Sequence, residues 1–132
     1  MSIGNTLKKY LSNHAETAET HADPSLQTHY YQTTKDKALA MLDNYFRNHP
    51  AYEMNAISKE HGEISVNRIK GKRAFIVATV IMVRPIHTAI DFSVTTESVI
   101  PFDLGYSAKL IEQIYEKVNM ELPLIDSKNR RA

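Results

Sequence analysis

The 132-residue sequence contains no cysteine, no tryptophan and only four glycines. Without cysteine the chain can form no disulfide, no thiolate nucleophile and no cysteine-ligated metal site. Sixteen basic and 15 acidic residues leave a formal net charge of +1, so no global field favours nucleic acid or an acidic membrane as a partner. No apolar run reaches the roughly 20 residues needed to cross a bilayer, and no segment of signal-peptide type is present. From these absences we expect a cytoplasmic protein with no membrane partner.

The chain does contain enough apolar sequence for one folded domain. Hydrophobic residues make up 42% of the sequence and charged residues 23%, which is typical of globular proteins. A chain of this length can bury a core without cross-links. Residues 1–27 are poor in large apolar side chains, which predicts a flexible N-terminal extension or a short helix. We place a single domain at residues 28–125 and a solvated tail at residues 126–132.

The periodicity of apolar residues predicts five strands and two helices. Alternation with period two indicates half-buried strands, and spacings of three and four indicate amphipathic helices. Each helix shows a single apolar stripe, which is typical of a helix that packs on a sheet. We therefore predict an α+β fold, order β-α-β-β-β-β-α, with one twisted antiparallel sheet and both helices on one face. The predicted strands lie near 28–33, 52–58, 63–69, 74–83 and 88–98, and the helices near 34–48 and 107–122.

The predicted central strand lies between Arg73 and Arg84 and is apolar on both faces. Nine of the ten residues from 74 to 83 are apolar, and β-branched side chains dominate, which favours a strand. A middle strand is often buried on both faces, but if the helices cover one face the other needs a cover of its own. A second copy, the N-terminal segment or a small apolar ligand could provide it. The residues of this interface or ligand face are Phe75, Val77, Ala78, Thr79, Val80, Ile81, Met82 and Val83.

Two resemblances accompany this pattern. The predicted order of elements resembles TATA-binding-protein-like and helix-grip folds, the latter implying a small-ligand cavity. The segment Ile90-Asp91-Phe92-Ser93, followed by Thr95 to Ser98 and by Phe102-Asp103-Leu104-Gly105 before the last helix, resembles the closing signature of a family of uncharacterised small bacterial cytosolic domains. The arginines of that signature are absent here, where the chain reads VTTESVIP. The resemblance therefore implies a fold and assigns no site.

Candidate catalytic residues are few. His87 and Asp91 stand four residues apart on one predicted strand and so share a face, and a carboxylate that orients an imidazole is half of a general-base device. No nucleophile motif, phosphate-binding loop or zinc-protease motif accompanies the pair. A surface ion pair or a hydrogen-bonded turn histidine is the simpler interpretation.

The sequence gives little support for a metal site or a phosphate site. His14, His21 and His29 are seven and eight residues apart, unlike the four-residue spacing of helical zinc pairs, so we expect no metal and no cofactor. The basic turn formed by Arg68, Lys70, Lys72 and Arg73 could contact phosphate, but acidic neighbours and the near-zero net charge make nucleic acid an unlikely partner. We expect solvated turn residues here.

The sequence thus favours a non-enzymatic module that binds or self-associates through the apolar sheet face, as a homodimer. A helix-grip domain for a small apolar ligand is the alternative, and an enzyme based on His87 and Asp91 is a distant third.

Overall fold

A computed structural model describes residues 14–97 and 105–125. The elements follow one another as three N-terminal pieces, a helix, four strands and a final helix, and we number strands and helices in chain order. The bounds are β1 His14–Glu16, a 3-10 helix Pro24–Leu26, β2 His29–Tyr31, α1 Lys35–Asn48, β3 Tyr52–Ser58, β4 Glu63–Arg68, β5 Ala74–Arg84, β6 His87–Thr96 and α2 Tyr106–Glu121.

The strands form one antiparallel sheet in the order β1-β6-β5-β4-β3, and β2 also pairs with β6. β1 pairs with Ser93–Thr95 and β2 with Thr88–Ile90, so the two short strands share one edge of β6. The predicted α+β class, order of elements and placement of both helices on one face are confirmed, with six strands where we expected five. The additional strand is β1.

The N-terminal segment differs from the expected flexible or helical extension wherever it is described. Residues 14–27 form β1 and the short 3-10 helix, and Thr17, Asp23 and Leu26 are buried. The Asp23 side chain accepts a hydrogen bond from the Ser25 amide at 3.0 Å, which caps the 3-10 helix. Residues 1–13 and the expected solvated tail 126–132 lie outside the described residues.

The core lies between the sheet and the two helices. From β5 it takes Ala74, Ile76, Ala78 and Val80, and from β6 Ile90, Phe92 and Val94. The stripe that we predicted on α2 is buried there as expected, with Ile111, Ile114 and Val118 fully covered. Helix α1 begins where the Thr34 hydroxyl accepts the Lys37 amide at 3.2 Å and so caps its first turn.

Candidate functional site

The face of the sheet opposite the helices, here called the open face, carries an apolar row along β5. Strand alternation divides the side chains of β5 between the two faces as far as Met82, and the register with β6 is irregular at Val83. Phe75 is 42% exposed, and Ile81 and Val83 are each 51% exposed. Val77 and Thr79 lie between them and are half-buried. We call Phe75, Val77, Thr79, Ile81 and Val83 the β5 stripe.

Polar residues flank the β5 stripe on both neighbouring strands. Val77 is paired with Ser65 on β4 and with Ser93 on β6. Thr79 is paired with Glu63 and Asp91 in the same way. Because cross-strand partners share a face, polar residues flank the stripe at Val77 and Thr79, whereas Ile81 is paired with Ala89 and so lies beside buried apolar residues that include Tyr30.

Only some of the residues that the sequence suggested for this surface lie on the open face. Ala78 and Val80 expose 0% and 1% of their surface and belong to the core beneath the helices. They are therefore not part of the open face. Met82 lies on the same side of β5 as Ala78 and Val80 but is 52% exposed.

β5 extends beyond its neighbour β4. The pairing of the two strands ends at Glu63 with Thr79, and one more bond joins the Val80 amide to the Gly62 carbonyl at 2.7 Å. Residues 81–84 therefore have no strand beside them on the β4 side within the described parts of the chain. Ile86, in the turn to β6, has a positive φ of 54° and is 55% exposed; this conformation is strained for a β-branched residue. The β5–β6 hairpin thus ends in an apolar tip.

Asp91 lies where the edge partner of β6 changes from β1 to β2. Its Oδ1 accepts hydrogen bonds from the hydroxyls of Thr17 at 2.6 Å and Thr28 at 2.5 Å. The Thr17 hydroxyl also accepts the Phe92 amide at 2.9 Å. At this junction no continuous strand lies beside β6, so the threonine hydroxyls form the hydrogen bonds that the Phe92 amide and the Asp91 carboxylate require. Sequence reasoning missed this role, since the two threonines stand 74 and 63 residues from Asp91.

A second polar network lies under β2. The Tyr115 hydroxyl donates to the Ile90 carbonyl at 2.6 Å, and the Tyr31 hydroxyl donates to Asn119 Oδ1 at 2.5 Å. The His29 ring stacks on Tyr115 with 3.6 Å between ring centres. Burial raises the pKa of Tyr31, and the neighbouring Tyr115 phenol raises it further. Burial also raises the pKa of Tyr115. Both phenols stay protonated, so the network is a set of hydrogen bonds that positions α2 on the sheet.

The structure does not bring His87 and Asp91 together. Both point to the open face, but four residues of strand separate their Cα atoms by about 13 Å. The His87 ring lies 5.5 Å from the Tyr30 ring, and the Asp91 carboxylate is held by the two threonines. No hydrogen bond joins the pair within the described residues.

The histidines suggested for a metal are also separate. His14 contacts Thr95 at 2.6 Å, the His21 ring accepts the Asp23 amide at 3.0 Å, and His29 stacks on Tyr115. Within residues 14–97 and 105–125, no three histidine, aspartate or glutamate side chains are grouped as metal ligands.

The residues of the basic turn have different neighbours. The Arg73 guanidinium lies 3.7 Å from the Glu97 carboxylate in an exposed ion pair. Arg68 Nη1 donates to the Tyr52 hydroxyl at 3.1 Å, and its guanidinium carbon lies 5.2 Å from the centre of that ring. Lys72 Nζ lies 5.8 Å from the centre of the Tyr106 ring. Arg68 and Lys72 therefore meet tyrosines, whereas Arg73 meets an acid.

The interior between sheet and helices is filled with side chains. Ile76, Phe92, Ile111, Ile114 and Val118 each expose 1% or less of their surface, so the layer is closely packed around these side chains. Within the described parts of the chain, two shallow clefts lie at the margin of this layer. One of about 320 Å³ lies beside Tyr45 and Lys117, and one of about 350 Å³ beside Leu39 and Ile57. The second cleft is lined by α1 and by β3 at the edge of the sheet.

Comparisons of the chain with protein-family models, curated proteins and solved structures find no match. The site is therefore interpreted from its geometry alone. Among the described residues, no helix has the length and apolar character needed to span a membrane.

Proposed function

We propose that this chain is a non-enzymatic binding module that associates with a second copy of itself through the open face of its sheet. The observation that supports this proposal is the β5 stripe, where Phe75, Ile81 and Val83 are 42 to 51% exposed. Contiguous exposed apolar surface on a globular chain is a mark of an interface. Polar residues on the strands to either side provide the rim that such interfaces have.

A second copy fits this surface because the stripe complements itself. Two sheets that pack face to face lie about 10 Å apart and bury the apolar rows of both inner faces. Five adjacent strands about 4.8 Å apart give an open face roughly 20 Å wide, which suits an interface at the small end of the usual range. A two-fold axis through the stripe would bring each stripe against its counterpart, as in an isologous dimer.

The test compares two neighbouring side chains with equal exposure and opposite directions. Ile81 is 51% exposed on the open face, and Met82 is 52% exposed on the helix side of the same strand. Ile81→Lys removes about 1 kcal/mol of apolar burial from each copy and also buries a charge. Because a two-fold interface loses this contribution twice, the dissociation constant should rise by at least about 30-fold. Met82→Lys should leave it within about twofold of the parent value, since a face-to-face interface leaves Met82 outside.

The measurement is sedimentation velocity over a concentration series, with circular dichroism to establish that both variants fold. A parent chain that stays monomeric at every concentration would refute the proposal. Equal weakening by both substitutions would instead place the contact at the hairpin tip or its free edge. Native mass spectrometry of the purified chain addresses the helix-grip alternative, for which a co-purifying small apolar molecule is required.

A further inference from the structure

Arg68 lies at the end of the sheet remote from the hairpin tip. It is the last residue of β4 and is paired with Tyr52 and Ala74, both buried on the helix side. Its side chain therefore extends beneath the helices, where its Nη1 donates to the Tyr52 phenol at 3.1 Å and the Tyr106 phenol also interacts with its guanidinium. Its Nε is buried and has no hydrogen-bond partner. A buried guanidinium N–H without an acceptor is costly.

The ion pairs among the described residues do not include Arg68 or its two lysine neighbours. In the described parts of the chain, no carboxylate lies within 4.0 Å of the charged groups of Arg68, Lys70 or Lys72. By contrast, Arg47 contacts Asp43 at 2.6 Å and Arg73 contacts Glu97 at 3.7 Å. The first turn of α2, which carries Tyr106, contains no acidic residue. Positive charge thus accumulates at this end of the molecule.

The pKa of His49 reflects the same excess of positive charge. It caps α1, packs against Tyr45 and Tyr52, and its Nδ1 accepts the Ala51 amide at 3.1 Å. Burial is the main cause that lowers the pKa of His49, and the charges of Arg68 and Lys70 lower it further. A site that repels a proton from a neighbouring imidazole attracts an anion for the same electrostatic reason.

We propose that Arg68, Lys70 and Lys72, together with the phenols of Tyr52 and Tyr106, bind the phosphate group of a small phosphorylated molecule. Guanidinium N–H groups match the geometry of phosphate oxygens, lysines add point charges, and phenols donate further hydrogen bonds. Three cations in one cluster suit a group of charge near −2 better than a single carboxylate. A nucleic acid would need a longer basic track, and here the next cation, Arg73, is already paired with Glu97.

The experiment titrates the full chain with inorganic phosphate and with pyrophosphate, at constant ionic strength maintained with chloride, and follows amide and side-chain signals by NMR. We expect saturable shifts at Tyr52, Arg68 and Tyr106, and an upward shift of the pKa of His49 when phosphate is bound. Arg68→Met should weaken binding by more than about tenfold, in line with the loss of charge-assisted hydrogen bonds. Because Arg68 also packs on Tyr52, Lys70→Met and Lys72→Met give the same test at exposed or half-buried positions, each with a loss of about threefold or more.

Lys37→Met is the matched control, because Lys37 is an exposed α1 residue outside the cluster. Equal weakening in this variant, or shifts that never saturate at millimolar phosphate, would overturn the proposal. Much tighter binding of a single-stranded oligonucleotide than of pyrophosphate would also overturn it, in favour of a nucleic-acid surface. Self-association is measured separately through Ile81→Lys, so either proposal can fail without the other.

Discussion

Gly62 is the position where a single added methyl group should harm the fold most clearly. Its φ is +67°, and a Cβ built there would lie 2.3 Å from the Val80 carbonyl oxygen and 2.8 Å from Lys35 Cε. The lysine can move, but the Val80 carbonyl is part of β5 and cannot move without disturbing the sheet. The Gly62 carbonyl also accepts the Val80 amide at 2.7 Å. The close approach of these two backbones is what joins the β3–β4 turn to the central strand.

The cost of Gly62→Ala can be estimated from these contacts. A left-handed φ costs a non-glycine residue about 1 kcal/mol, and an enforced backbone shift costs about 1 to 3 kcal/mol. Weakening the bond between Gly62 and Val80 adds up to about 1 kcal/mol. The free energy of unfolding should therefore fall by about 3 kcal/mol, which for a chain of this size corresponds to roughly 10 °C in Tm.

Gly71 provides the matched control. Its φ is +72°, and a Cβ added there meets nothing within 4 Å. Gly71→Ala thus carries the same conformational strain and the same loss of chain entropy in the unfolded state, and it should cost only about 1 kcal/mol. Urea unfolding followed by circular dichroism measures both variants. If the two substitutions lower stability equally, the contact between Gly62 and Val80 is not what limits this position.

Two further predictions concern polar groups. Thr17→Val should lower the free energy of unfolding by about 2 kcal/mol or more, because the Thr17 hydroxyl serves both Asp91 and the Phe92 amide. Thr95→Val removes a hydroxyl that contacts the exposed His14 ring and should cost less than about 0.5 kcal/mol. Equal losses of stability in urea for the two variants would contradict the role of Thr17. Burial and the charges of Arg68 and Lys70 lower the pKa of His49. The unfolded chain therefore binds a proton at His49 more readily than the folded chain does. The stability that His49 contributes is lost as the pH falls below about 6.5. His49→Gln should lose less stability than the parent between neutral pH and about pH 5, and parallel pH profiles would refute this.

Elements with a strong repeating pattern could be predicted from the sequence. On α2, Leu110, Ile111, Ile114 and Val118 recur at helical spacing and are all buried. On β6, Ile90, Phe92 and Val94 alternate with half-buried polar residues, as a strand with one covered face requires. In both elements the local sequence and the tertiary packing demand the same conformation, which is why prediction succeeded there.

β1 could not be predicted because its pairing is entirely nonlocal. His14, Ala15 and Glu16 have no apolar alternation, and they form a strand only because Ser93 and Thr95 lie beside them on β6. The junction at Asp91 has the same origin, since Thr17 reaches it only after β1 is in place. Local propensity carries no information about such contacts.

Predicting the β5 stripe required both the local sequence pattern and the nonlocal pairing of the strands. Its two-sided apolar character is visible in the sequence, but whether both faces are buried depends on the neighbouring strands. β4 has 6 residues and β5 has 11, so the end of β5 extends past β4, and within the described residues the hairpin tip has no strand beside it on that side. The register then places serines beside Val77 on both sides, so the apolar surface does not extend sideways there, whereas Ala89 and Tyr30 extend it beside Ile81. A narrow stripe with polar flanks is better matched by another stripe of the same kind than by a broad apolar layer, because the polar flanks of one copy then meet the polar flanks of the other. The choice of a second copy as the partner therefore depends on the flanks of β5 as much as on β5 itself.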